Sequence, residues 1–109
     1  MNPTSLLLPV ALAAMASTPA AAAPITRSCD SVSVTLAGGA HGGAHGIRAT
    51  GIGCTRARTI VRACLRDDLR GWRVSRAPSP DDRNPKGLVG LDRRSAHVSF
   101  QIRGHGGCG

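Results

Sequence analysis

Apolar positions along the chain follow three patterns, and each predicts a different element. In Ser31–Leu36 they alternate, with Val32, Val34 and Leu36 on one side and Ser31, Ser33 and Thr35 on the other, which is the period of a strand with one buried face. The same alternation returns near the end, where Ala96, Val98, Phe100 and Ile102 oppose His97, Ser99, Gln101 and Arg103. Between these the step lengthens. Ala57, Ile60, Val61, Cys64, Leu65 and Leu69 recur every three or four residues, which predicts a helix over Cys54–Arg70, with Gly71 placed where it would end. Shorter strands are expected at Ile47–Thr50, Trp72–Ser75 and Leu88–Asp92, with a hairpin turn over Asp92–Ser95. Two stretches show no period and read as loops: the Gly-, Ala- and His-rich residues 37–46, and residues 77–87 with Pro78, Pro80, Asp81, Asp82, Asn84 and Pro85. The order β-β-α-β-β-β predicts an α+β fold, a small antiparallel sheet with one amphipathic helix packed on its apolar face.

The third pattern is an apolar run, Leu6–Ala16, followed by Ser17, Thr18, Pro19 and four alanines, in a segment Met1–Ala23 that holds no Lys, Arg, Asp or Glu. Apolar run followed by small residues is the layout of a cleavable secretory signal. The run is shorter than the ~20 residues needed to cross a bilayer. Cleavage is expected after Ala22, with Ala23 as the alternative, because proline directly after the scissile bond hinders the peptidase. Thr26, Arg27 and Ser28, ahead of Cys29, do not form a lipobox. Residues 1–22 are thus read as a signal peptide and 23–109 as one small domain, secreted to the exterior or cell envelope and free of the membrane once cleaved.

A domain this small has a thin core and calls for extra restraint. Its four cysteines, Cys29, Cys54, Cys64 and Cys108, form an even set in an exported chain and read as two disulfides. Three pairings exist. Ten helical residues separate Cys54 from Cys64 by ~15 Å, against a limit of ~7 Å between bridged Cα atoms. That excludes Cys54–Cys64 and, with it, Cys29–Cys108. Two pairings remain open: Cys29–Cys54 with Cys64–Cys108, or Cys29–Cys64 with Cys54–Cys108.

The net charge of +8 falls entirely after the signal, from thirteen arginines and Lys86 against six aspartates, with no glutamate and no tyrosine. Such charge has two origins, an anionic partner or GC-rich codons, and it speaks to association rather than fold. Arg58, Arg62, Arg66 and Arg70 stand four apart on the predicted helix, and Arg73 and Arg76 follow, so the expectation is a basic strip with weak affinity for an anionic envelope polymer. Specific nucleic-acid readout is not expected, since the only aromatic residues, Trp72 and Phe100, occupy core-like positions. His41, His45 and His105 with Cys108 offer metal-binding atoms, but a glycine-rich loop fixes no geometry for them, and neither a metal nor another cofactor is expected. Asp67–Asp68 lies between Arg66 and Arg70, and Asp81–Asp82 belongs to a turn. No G-x-S-x-G elbow, phosphate loop or dinucleotide fingerprint occurs, so no catalytic residue is assigned. These features describe a small exported non-enzymatic protein, a binding or structural module of the envelope. The alternative is an inhibitor or toxin-like effector that presents the 77–87 loop to a partner enzyme.

The stretch Ile47-Arg48-Ala49-Thr50-Gly51-Ile52-Gly53-Cys54-Thr55-Arg56-Ala57-Arg58, continued by Val61, Arg62, Gly71-Trp72-Arg73 and a last strand around Val98 and Phe100, resembles a family of small secreted actinobacterial proteins of unknown function. The shared pattern is I-x-A-x-G-x-x-C-x-x-A-R, a basic helix, G-W-R-C, and a cysteine-containing strand pair. It covers about Cys29 to Arg103. The resemblance implies export and the same fold, and it favours Cys29–Cys54 as a retained bridge with Cys64–Cys108 as a substitute for a lost one. The chain departs from the family at Val74, where G-W-R-C would carry cysteine, and near Leu91, where that cysteine's partner would sit. The resemblance brings no catalytic residue.

Overall fold

A computed structural model describes residues 24–78 and 87–108. The signal segment, its cleavage site and residues 79–86 of the proline-rich connection lie outside the described residues. The elements run β1 (Thr26–Cys29), β2 (Val32–Thr35), a short 3-10 turn (Ala37–Gly39), β3 (His41–Thr50), α1 (Cys54–Leu65), β4 (Arg73–Ala77), β5 (Leu88–Arg93) and β6 (Ala96–Gly104). The strands form one antiparallel sheet in the order β1-β3-β6-β5-β4, with β2 also on β3, and the helix packs on one face, so the fold is α+β.

The sheet is organised by β3. Along one edge it pairs β1 from Thr26↔Thr50 to Cys29↔Ile47, and then β2 from Val32↔Ala44 to Thr35↔His41. The register is continuous, so β1 and β2 are two halves of one edge strand interrupted at Asp30–Ser31. Along its other edge β3 pairs β6, and the register shifts by one residue between His45 and Arg48. Gly46, at φ +62, supplies the left-handed conformation of that bulge. The extra residue lets Ala44 and Ile47, three apart, both turn inward to the core.

The first half of β3 corrects the reading of 37–46 as a loop. A Cβ on Gly42 would collide with the His105 carbonyl, and one on Gly43 would sit 2.9 Å from the Val32 carbonyl oxygen. Neighbouring backbone therefore approaches too closely for any side chain here, and the glycines serve close packing rather than flexibility. Ile47–Thr50 is the second half of this longer strand, and β1 is an additional strand that its polar Thr-Arg-Ser-Cys sequence does not announce.

The helix is also shorter than its apolar period. α1 ends at Leu65, with Arg66 as C-cap, and not at Arg70. The Asp67 amide donates to the Cys64 carbonyl and the Asp68 amide to the Ala63 carbonyl, at 2.9 and 2.8 Å, while Asp67 adopts φ +59. This crossed pair closes the helix in a Schellman turn, with aspartate in the left-handed position that glycine usually fills. Leu69 still packs against the core, but from a non-helical segment.

Ala57, Ile60, Val61, Cys64 and Leu65 of α1 share one core with Val32, Val34, Ala44, Ile47, Ala49, Val89, Leu91, Val98, Phe100 and Ile102, all on the same face of the sheet. Two disulfides pin the helix at both ends. Cys29–Cys54 (Cα separation 5.4 Å) joins β1 to its first residue, and Cys64–Cys108 (4.8 Å) joins its last turn to the tail beyond β6. Of the two pairings left open by helix geometry, this is the one that the family resemblance favours.

Candidate functional site

The six arginines expected to form one strip are divided by the early end of the helix. Arg58 is engaged in structure: its guanidinium donates from Nε to the Asp30 carbonyl at 3.2 Å and from Nη2 to the Ser31 carbonyl at 3.1 Å. These are the carbonyls left without strand pairing at the break between β1 and β2, so Arg58 clamps the helix to the sheet edge. Arg62 lies half-buried in the last turn of α1, where its charge suits the negative end of the helix dipole. Arg66, exposed at the C-cap, forms a backbone bridge with Gly107. Arg70 follows the Schellman turn and leaves the row. Arg73 opens β4 opposite Asp92 and belongs to the sheet instead. Arg76 donates from Nη2 to the Cys108 carbonyl at 2.6 Å and holds the tail.

What the fold brings together is a different pair. Arg66 and Arg103 line an open groove of about 640 Å³, with His41, Ser31, Ser33, Gly42 and Gly43 around it. The register explains the juxtaposition. Ser33, Gly43 and Arg103 stand in one row across β2, β3 and β6, so no side chain stands between the Ser33 hydroxyl and the Arg103 guanidinium. Arg66 reaches the same groove from the helix end. Guanidinium groups beside hydroxyl donors present an array of N–H and O–H bonds suited to phosphate or carboxylate oxygens.

The face of the sheet turned away from α1 carries a second constellation. Thr26, Thr50, His97, Asp92 and Arg73 stand in one row across five strands. Thr26 and Thr50 share a hydroxyl hydrogen bond of 2.8 Å, and His97 Nδ1 meets Asp92 Oδ1 at 2.5 Å, with both side chains a little under half exposed. The carboxylate only accepts, so Nδ1 carries the proton and Nε2 is the basic nitrogen when the ring is neutral. Ser75 donates to the Gly90 carbonyl at 3.4 Å. A Cβ on Gly90 would lie 2.8 Å from Ser75 Oγ and 3.5 Å from His97 Cε1, so hydroxyl and imidazole flank the same small gap. Sequence reading placed Asp92 in a turn and missed the pair. The available signal was the hairpin itself, since a two-residue turn at Arg94–Ser95 sets residues 92 and 97 opposite each other.

Of the residues that offer metal-binding atoms, His41 and His45 sit on β3 and His105 follows β6, while Cys108 is committed to its bridge. His45 is half-buried, and its Nδ1 has no hydrogen-bond partner. Among the described residues no three His, Cys or Asp side chains gather as a metal site, and no helix is long and apolar enough to cross a membrane.

Neither a family model nor a curated protein nor a solved structure matches the chain.

Proposed function

We propose that the protein is a non-enzymatic exported binding module that holds an anionic polymer of the cell envelope in the groove between Arg66 and Arg103. The observation that carries this reading is the groove itself: two guanidiniums from separate elements beside the hydroxyls of Ser31 and Ser33, with the backbone of Gly42 and Gly43 in its lining. The net charge of +8 supplies a long-range field of the right sign. The reading moves the anion site from the helix strip to the sheet edge, since Arg58 already serves two backbone carbonyls.

The test is retention on a polyphosphate matrix at rising salt. Each arginine that neutralises a phosphate contributes roughly 0.7–0.9 to the slope of log affinity against log salt, on the scale set by nucleic acids. Arg66→Gln with Arg103→Gln is expected to lower the slope by roughly 1.4–1.8 and to elute early, whereas Arg62→Gln should elute with the parent. Co-elution of the double variant with the parent contradicts the proposal.

Export belongs to the same reading. It is supported by the two disulfides, which persist in oxidising compartments, and the family resemblance implies it as well. Sequencing of the secreted protein is expected to begin at Ala23 or Pro24; an intact Met1 on cytosolic protein contradicts export. The alternative of an inhibitory loop rests on residues 77–87, of which only the stem is described, closed by the pair Ala77↔Leu88.

A further inference from the structure

At the end of the sheet opposite the groove, three more arginines gather around the only tryptophan. Arg103 and Ala96 are seven residues apart on β6, roughly 23 Å at ~3.3 Å per residue, so the two places are separate. Arg56, Arg93 and Arg94 line a depression of about 200 Å³ whose apolar walls are Trp72 and Ile52. The three come from different elements: Arg56 from the first turn of α1, Arg93 from the end of β5, and Arg94 from the hairpin turn into β6. Gly51 is what gathers them. It lies at φ +70, and a Cβ there would sit 2.6 Å from the Ser95 carbonyl oxygen, so the hairpin turn rests directly on the link between β3 and α1.

This clustering runs against local preference. All three arginines are exposed, and among the described residues none has a carboxylate partner. Arg56 adds positive charge at the positive end of the helix dipole, in a first turn that contains no acidic residue. Arg94 takes φ 58 at the first central position of a two-residue hairpin turn, a conformation that glycine adopts without strain and arginine does not. Trp72 is half-buried, packed against the core while also lining the depression. Arg93 is set beside it, its Cζ and Nη1 4.0 Å from where a Gly71 Cβ would be.

Cationic rim and aromatic wall together select a ligand with two parts. We propose that this depression binds a phosphomonoester carried on a planar ring, the chemistry of a nucleoside monophosphate, with the guanidiniums on the phosphate and the ring against Trp72 and Ile52. Charge-assisted hydrogen bonds from arginine favour the phosphate dianion, and an indole supplies apolar surface for a flat ring. The volume lies below the ~300 Å³ at which drug-sized pockets begin, which limits the ligand to a small molecule or a single terminal group.

Trp72 is the sole tryptophan, and there is no tyrosine, so its emission reports on this site alone. Titration of the disulfide-bonded protein with adenosine 5′-monophosphate is expected to change Trp72 fluorescence saturably, and both adenosine and inorganic phosphate are expected to bind at least about tenfold more weakly. Arg94→Gly separates binding from structure: it relieves the left-handed arginine, so thermal stability is expected to rise while affinity for the nucleotide falls about tenfold or more. Arg103→Gln, in the other groove, should leave the titration unchanged, so this proposal and the polymer-binding one fail independently. Inorganic phosphate binding as tightly as the nucleotide, no saturable change, or Arg94→Gly with unaltered affinity would each overturn the inference.

Discussion

Removing the bridge between Cys64 and Cys108, through the paired change Cys64→Ala and Cys108→Ala, is expected to lower unfolding free energy by about 4 kcal/mol. That is the loop-closure value for its sequence separation of 44, whereas the separation of 25 at Cys29–Cys54 gives about 3.5 kcal/mol. The first bridge also anchors more structure. The tail that it closes includes the His105 amide bonded to the His41 carbonyl at 3.0 Å, the Arg66–Gly107 bridge and the Arg76 bond to Cys108. These groups stand beside Gly42, whose backbone faces the His105 carbonyl, so loosening the tail exposes the start of β3 and the lining of the groove. A typical domain is stable by ~5–15 kcal/mol, and a chain with so thin a core falls toward the lower end. Loss of one bridge therefore uses most of the margin, and loss of both is expected to leave the chain unfolded. Urea unfolding of the paired variants without reductant measures the difference; a loss below about 1 kcal/mol for Cys64–Cys108 would show that the tail is held by its other contacts.

Phe100→Ala is the single substitution expected to cost most, about 3–5 kcal/mol. Phe100 is completely buried at the centre of β6, paired with Val89 on β5 and lying where β3 bulges at Gly46–Ile47. It is the only large aromatic side chain in the core proper, because Trp72 is half-buried at one end. Helix and sheet meet across it, so truncation leaves a cavity that neither layer closes without moving. Thermal unfolding followed by Trp72 emission reads the effect, and Phe100→Leu, which keeps most of the volume, is expected to lose much less. Equal losses for the two would place the stability elsewhere.

Large side chains wrote part of this fold openly into the sequence. Val32 and Val34, Val98 through Ile102, and the helical series from Ala57 to Leu65 announce their elements through the faces they bury. The first half of β3 was silent for the converse reason, since Gly42, Gly43 and Gly46 carry no hydropathic signal and the bulge breaks the alternation that Ala44, Ile47 and Ala49 would otherwise show. Leu69 misled in the other direction. It keeps the helical period, but the chain has already turned at Asp67, and the leucine reaches the core from outside the helix. The candidate site was half legible. Arg66 and Arg103 were visible as polar-face arginines, while their common groove depends on the register that aligns Ser33, Gly43 and Arg103. Arg58 sits on the expected helix face, yet the break at Asp30–Ser31 that occupies it has no sequence signature of its own.

Backbone amide chemical shifts recorded while polyphosphate is added locate the anion instead of weighing it. The groove between Arg66 and Arg103 predicts the largest perturbations at Ser33, Gly42, Gly43, Arg66 and Arg103, diminishing along α1 toward Arg58. Perturbations that instead follow Arg58 and Arg62 along the helix, or spread evenly over every exposed arginine, would contradict it.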